Sequence, residues 1–398
     1  MQSAKTHLRW ILAMAALLWL FVIGINGTAF FVIAAPENQR ILQNNVGWER
    51  TYKPMIHDRL RPEVAVFGAS WARDAFDYEE ITEILGRPFF NHAVSGGQPY
   101  ENRRFLQSAL AEGNLQVVLL NLNSFQRHPK QLKFQYGFNE GLLNVDPIDR
   151  ANPESTWNRF FAATLSGAAV GNNISALSIL QKFRSGKPKH ELLRAYDRHD
   201  FSGNPTRLKQ WQQMMQGKPS GEGEPEPFDA TAFPATVSEL AESIRRACAQ
   251  GLPVKTYFTP SHPIILKKVF DQTALKLAMW DFLHPLKAAC PKGLSYWDFS
   301  YPNAITLEGL SAGGPSRYFR EDGHPRPTAG QVMASQMFGK SFFPNALRDL
   351  GTDLLALDRG QAELWISSRE ARWRGQWQST DRAAVQADLI TTAQHGAP

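Results

Sequence analysis

The hydrophobic and polar positions change rhythm several times along the chain. From Trp10 to Ala35 (WILAMAALLWLFVIGINGTAFFVIAA) no charged residue occurs. A helix over that run would rise about 39 Å, more than the roughly 30 Å of a bilayer's hydrocarbon core. Lys5 and Arg9 precede the run and Glu37 follows it. The positive-inside rule then predicts a single-pass anchor in the inner (cytoplasmic) membrane, over residues 1–36, with everything beyond Pro36 facing the periplasm or the cell exterior. Val32-Ile33-Ala34 also reads as a weak signal-peptide cleavage site, but the run exceeds the usual apolar region of about 7–15 residues, which favours an uncleaved anchor. Residues 37–60 are polar and read as a juxtamembrane stalk.

From residue 61 short apolar runs alternate with helical periodicity. Val64–Phe67 is a strand stopped at Gly68, and 78–86 (YEEITEILG) is helical with Gly86 as its stop. Phe89–Val94 is a second strand, followed by Ser95-Gly96-Gly97 and a helix from about Tyr100 to Ala111. Gln116–Leu122 (QVVLLNL) is apolar throughout, as in strands of a parallel sheet covered on both faces. This succession predicts an α/β domain over 61–348.

The rhythm lapses between about 125 and 235, read as an insertion, with a helix near Ile174–Phe183 and a solvated GKPSGEGEPEP stretch at 217–227. It resumes with a T-V-S-E capping box at Thr236 and a helix to Gly251. A strand at Val254–Phe258 comes next, then a helix over about 264–290 broken at Pro285, a strand at Ser295–Phe299 and a helix over 328–342. Residues 349–398 form a tail that is helical through about Arg374 and frays after Ser379.

Composition narrows the classes. Hydrophobic residues are 43% of the 398, with 11 Trp and 25 Phe, which is enough apolar area for a large core and excludes disorder as the main state. The net charge of +6 is spread thinly, with no basic block dense enough to follow a phosphate backbone, so nucleic acid is not an expected partner. The two cysteines, Cys248 and Cys290, suit either one disulfide or two buried thiols, and alone they hold no metal. No cofactor or metal is expected.

The candidate chemistry lies at the carboxyl ends of the strands, where open α/β sheets collect their ligands. Gly68-Ala69-Ser70 follows the first strand, Ser95-Gly96-Gly97 the second, Asn121-Leu122-Asn123-Ser124 the third, and Glu321-Asp322-Gly323-His324-Pro325 stands near the end of the domain. Ser70 at a strand-to-helix turn suits a nucleophile, His324 its base, and Asp322 or Glu321 the carboxylate that orients the imidazole. The Gly96 N–H and the Asn123 side-chain amide suit an oxyanion hole, with Asn121 competing for the inward role. Each motif also has a structural reading: a turn serine, an ordinary glycine loop, an asparagine capping a turn, a surface histidine. His262 between two prolines reads as a turn residue or a cleft residue, Asp298 as a cleft residue or equally well a structural hydrogen-bond partner, and Arg317, Arg320 and Arg326 as a solvated rim or a site for anionic glycan.

Taken together, FGASWARDAFD (67–77), NHAVSGG (91–97), VVLLNLNS (117–124) and EDGHP (321–325) resemble the four blocks of the SGNH, or GDSL-like, hydrolase superfamily, over about residues 61–342 without the insertion. The resemblance implies a three-layer, flavodoxin-like domain with a parallel sheet, Ser70 as nucleophile, Gly96 and a third-block residue in the oxyanion hole, and His324 as base. The third block departs from the family's Gly-x-Asn-Asp: Phe125 takes the asparagine place and Asn123 is a displaced substitute. In the last block the family's Asp-x-x-His spacing falls on Glu321, while Asp322 gives Asp-x-His, as in alginate O-acetyltransferase relatives.

One anchor before such a domain is similar to the membrane-tethered proteins of polysaccharide acylation and of D-alanyl transfer to teichoic acid, which work with a multi-spanning acyltransferase. The resemblance implies a serine O-acyltransferase or esterase acting on acylated envelope polysaccharide or exopolysaccharide through an acyl-Ser70 intermediate. Its rival is a catalytically silent SGNH-like domain that binds carbohydrate or scaffolds an envelope polymer complex.

Overall fold

The computed structural model describes residues 2–33, 35, 38, 49–126, 137–165, 167–185, 230–231, 233–261, 272–300, 303, 305–306, 318–319, 324–340 and 350–379. In chain order the principal elements are α1 (Gln2–Ile33), α2 (Glu49–Leu60), β1 (Val64–Phe67), α3 (Ser70–Ala75), α4 (Tyr78–Leu85), β2 (Phe89–Asn91), α5 (Pro99–Ala111), β3 (Val117–Asn121), α6 (Ser155–Leu165), α7 (Gly167–Arg184), α8 (Ser238–Ala249), β4 (Val254–Phe258), α9 (Gln272–Leu286), β5 (Leu294–Asp298), α10 (Pro327–Met337), β6 (Thr352–Asp353) and α11 (Arg359–Ser379). They fall into two units, one of residues 1–60 with 137–192 and one of 61–136 with 193–398.

The larger unit is α/β. Its sheet has the order β2-β1-β3-β4-β5-β6. The first five strands pair in parallel and β6 pairs antiparallel with β5, so the sheet is mixed rather than wholly parallel. Side chains alternate across each strand. Val64 and Val66 of β1 pack with Val117, Leu119 and Phe89 under Ala72, Ala75, Ile81, Ile84, Met333 and Met337 of α3, α4 and α10. Phe67 points the other way, stacked on His92, which stacks in turn on Phe105 of α5. The helices α5, α8 and α9 pack beside one another on that second face. The buried His92 is thus a core residue.

Because β2 lies on one side of β1 and β3 on the other, the chain leaves the sheet in opposite directions after β1 and β3. That is the switch point at which doubly wound sheets open a crevice.

Local differences from the sequence reading have identifiable causes. Thr236 does not cap α8. It is taken up in a helical turn over Phe233–Thr236, whose Phe233 carbonyl accepts the Val237 N–H, and the helix restarts at Ser238. Pro285 sits in the last turn of α9, where only a short 3-10 turn, Lys287–Ala289, succeeds it. The tail opens with β6 before its helix begins at Arg359. The stretch 217–227 lies outside the described residues.

Cys248, at the end of α8, and Cys290, just before β5, form a disulfide. The bridge spans a sequence separation of 42, for which the chain-entropy model gives about 4 kcal/mol of stabilisation. Replacing both cysteines with serine is expected to lower the unfolding free energy of the α/β unit by about 2–4 kcal/mol in urea titrations, and dithiothreitol should reproduce the loss. A change under about 0.5 kcal/mol, no more than an ordinary surface substitution causes, would mean that the bridge carries no stability.

The smaller unit is helical. α1 is long and apolar enough to cross a membrane, with mean hydropathy 2.2 in an 18-residue window of Thr6–Ile33. Residues 49–60, read from sequence as part of a polar stalk, form the helix α2, whose Tyr52, Met55 and Ile56 are buried. α6 has no counterpart in the sequence reading, and α7 extends well beyond the expected 174–183. Within this unit Arg159 of α6 donates to the Leu142 carbonyl at 2.6 Å and to Asn144 at 2.7 Å, and pairs with Asp58 of α2. Burial, together with the Arg159 charge, lowers the His57 pKa to about 3, so this imidazole is neutral at ordinary pH.

Candidate active site

The site assembles where three loops meet at the switch point. β1 ends at Phe67 and the chain turns through Gly68 and Ala69 into α3, whose first residue is Ser70. Gly68 has no room for a side chain: a Cβ there would lie 2.6 Å from the Cβ of Asn121 at the end of β3. Gly97, after β2, is equally constrained, since its Cβ would lie 2.6 Å from the Gly68 carbonyl oxygen. The two glycines let the loop after β2 meet the loop after β1 backbone to backbone, and let the Asn121 side chain at the end of β3 press against Gly68.

The short helix that carries Ser70 is held from its far end. Asn91, fully buried at the end of β2, donates its Nδ2 to the carbonyls of Ala72, Arg73 and Phe76 at 3.1, 3.1 and 2.8 Å. Its Oδ1 accepts from the Ala93 N–H at 3.0 Å. The Ala72 carbonyl also accepts the Phe76 N–H at 3.2 Å, and the Asn91 amide adds a donor at the end of this six-residue helix while fixing α3 to the second loop.

Ser70 Oγ lies 2.7 Å from His324 Nε2, across 254 positions of sequence. The imidazole also stacks on the indole of Trp71, with centroids 5.7 Å apart and planes 11° from parallel. Ser70, Trp71 and His324 are all half-buried, which leaves the pair open to a substrate. Contacts on either side of His324 in the chain hold it in place. Phe319 and Pro325 form an isolated antiparallel bridge, and Arg326 donates its backbone N–H to Tyr318 at 2.7 Å and its Nε to Phe319 at 2.9 Å. Arg326 is therefore a structural arginine. α10 starts one residue later and packs on α3 through Gly330, where a Cβ would fall 1.6 Å from the Ala75 carbonyl oxygen.

The loop after β2 makes a turn in which the Gly97 N–H reaches the Val94 carbonyl at 3.0 Å, with Gly96 at φ 60°. That conformation favours glycine at the third turn position. Gly96 is half-exposed, and its carbonyl is held by Gln98 Nε2 at 2.8 Å. After β3, the Asn123 side-chain oxygen accepts three hydrogen bonds: from Asn121 Nδ2 at 2.8 Å, from the Thr259 N–H at 3.0 Å and from Thr259 Oγ1 at 3.1 Å. Three donors around one oxygen settle the orientation of that amide, so what Asn123 can offer a ligand is its Nδ2. Asn121 supports Asn123. Phe125, in the expected asparagine place, is buried.

Of the sequence candidates, the structure brings Ser70 and His324 into hydrogen-bond contact and sets the Gly96 and Asn121 loops against Gly68. Glu321 and Asp322, the two carboxylates proposed for His324, lie outside the described residues, as do His262, Arg317 and Arg320. Asp298 is structural: its Oδ1 accepts from Ser300 N and Oγ, and its Oδ2 lies 2.8 Å from Lys276 Nζ. Trp71, Asn91 and Thr259 had no assigned role in the sequence reading. Trp71 adjoins the serine and Asn91 lies within a quoted block, so adjacency was the available signal for both; Thr259 had none.

No family model, curated protein or solved structure matches the chain.

Proposed function

We propose that the chain is a membrane-anchored serine O-acyltransferase or esterase of SGNH type, facing the periplasm or cell exterior and acting on acylated carbohydrate. The observation that carries this reading is the 2.7 Å contact between Ser70 Oγ and His324 Nε2. Support comes from the parallel strand order 2-1-3-4-5, which suits a flavodoxin-like SGNH domain, and from the meeting of three motif loops at its switch point. The disulfide suits an oxidising compartment, in keeping with a domain beyond the membrane.

In this mechanism His324 is neutral and carries its proton on Nδ1, so that Nε2 accepts the Ser70 proton as Oγ attacks the ester carbonyl carbon. Asp322 or Glu321 would hold that tautomer. In this reading the tetrahedral oxyanion receives the Gly96 N–H and Asn123 Nδ2 as its two donors. Collapse expels the alcohol, which takes its proton from His324 and leaves an acyl-Ser70 ester. A second hydroxyl, giving its proton to Nε2, then attacks the acyl carbon, and collapse breaks the acyl–Ser70 bond as Nε2 returns that proton to Ser70 Oγ. With a glycan hydroxyl the outcome is transfer, to or from a polymer served by a multi-spanning acyltransferase; with water it is hydrolysis. The stacked Trp71 limits the imidazole to small in-plane motions while its proton moves between the two oxygens.

The test is chemical. The purified full chain in detergent should be labelled by a fluorophosphonate at Ser70, located by peptide mass spectrometry, and should release p-nitrophenol from its acetate ester. A folded chain that does neither would overturn the enzyme reading in favour of a binding or scaffolding domain.

A further inference from the structure

We propose that the α6–α7 hairpin is a re-entrant element that dips into the outer leaflet beside α1, its outward face covered by lipid acyl chains. The proposal rests on α1 crossing a bilayer, and on nothing about catalysis.

Residues 160–181 of the hairpin contain no charged side chain, and the run is bounded by Arg159 on one side and Lys182 and Arg184 on the other. The two helices end and begin at Leu165 and Gly167, and at their junction the Thr164 carbonyl receives a hydrogen bond from the Asn26 amide of α1, the kind of partner that backbone groups at helix ends need in hydrocarbon. α1 is bare from Thr6 to Phe21, where Leu12, Leu18 and Phe21 are 60%, 64% and 65% exposed. Its last two turns are covered: Asn26, Ala29, Phe30 and Ile33, one helical face, are buried where α1 packs on α6 and α7.

Depth is set by the register. A run of about 39 Å overhangs a core of about 30 Å by about 4–5 Å at each end. Asn26 stands nine residues before Ala35, hence about 9 Å inside the outer boundary of the hydrocarbon. An unsatisfied amide there would cost several kcal/mol. Both ends of the Asn26 amide are satisfied by the hairpin. Its Nδ2 donates to the Thr164 carbonyl at 3.0 Å, and its Oδ1 accepts from Asn173 Nδ2 at 3.0 Å. Asn173 Oδ1 accepts in turn from the Tyr52 hydroxyl at 3.0 Å.

One turn nearer the surface Phe30 packs edge-on against Phe160, at 5.6 Å. Residues 30 and 26 of α1 thus meet 160 and 164 of α6, so α6 descends beside α1 and its tip reaches the depth of Asn26. On the outward face of α6, Trp157, Phe161 and Leu165 are 65%, 49% and 39% exposed at successive turns. In lipid that face is matched: Trp157 lies at the interface, where tryptophan concentrates, and the other two lie in hydrocarbon. A leader removed after Ala34 would expose the opposite face of the hairpin as well.

The experiment uses the full chain in phosphatidylethanolamine/phosphatidylglycerol vesicles, with single nitroxide labels at W157C, F161C and L165C, the native disulfide intact, and E154C as the aqueous reference. Power saturation with oxygen and a nickel chelate should place the 165 label about 12 Å deeper than the 157 label. Equal chelate access at all three positions in a chain that resists carbonate extraction would overturn the re-entrant hairpin and leave the anchor standing. A chain released by carbonate, or a mature N-terminus after Ala34, would overturn both.

Discussion

Replacing Ser70 with alanine is expected to lower ester turnover by at least about 10³-fold with no loss of fold. A nucleophile that acts with its base as a unit cannot be partly substituted, and what survives its removal is the weaker effect of oxyanion stabilisation and binding. The fold should survive because Ser70 is half-buried at the first position of α3. The helix is held from its other end by the Asn91 amide. His324→Ala should cost a similar factor, and the double variant no more than either single one, because neither group has a reaction to perform alone. Turnover of p-nitrophenyl acetate, with near-ultraviolet circular dichroism as the check on folding, measures both. Additive losses would mean that Ser70 and His324 do not act together, whatever their separation.

Gly330→Ala is expected to damage the same site from behind. The new methyl would sit 1.6 Å from the Ala75 carbonyl oxygen, a contact between two backbones with no flexible side chain to yield. Ordinary carbon–oxygen contact needs roughly twice that separation, so α10 must back away from α3 by more than about 1 Å. Overpacking of this kind costs about 1–3 kcal/mol. The functional loss should be larger in proportion. α3 begins with Ser70 and α10 follows His324 by three residues, so the displacement opens the 2.7 Å contact directly. Misplacement of reacting groups by about 1 Å can cost about 10²-fold in rate. Fluorophosphonate labelling rate and thermal unfolding together check the prediction: a stable variant that labels at the wild-type rate would show that α10 does not set the Ser–His geometry.

Some of this was legible before any coordinates. Val254–Phe258 is a strand with the predicted bounds, and the helix over 78–85 ends at Gly86 with φ 65°, because local apolar periodicity and a glycine stop are written in adjacent residues. Ser70, Gly96, Asn123 and His324 could be named because strand ends in open α/β sheets are where chemistry collects. What each does in the structure was less visible. That Thr259 fixes the amide of Asn123, and that Asn91 ties down the end of the helix of Ser70 beside its cap residue Phe76, comes from contacts between strands and loops distant in sequence. Thr236 shows the opposite failure: its capping pattern is correct locally, and a preceding helical turn overrides it.

The apolar run, the alternation of strands and helices and the ordered serine and histidine are all properties of short windows, decided by side-chain period and by helix and turn chemistry. Strand order is another matter. Placing β1 between β2 and β3, and so creating a crevice at Ser70, depends on which faces bury most apolar area together. The same holds for the glycines: each is required by an atom brought against it from elsewhere in the fold, the Asn121 Cβ at Gly68 and a backbone carbonyl at Gly97 and at Gly330. The partnership of Asn26 with Thr164 and Asn173 likewise spans more than 130 positions, and only close packing, which leaves a buried amide no partner but its neighbours, brings those residues together.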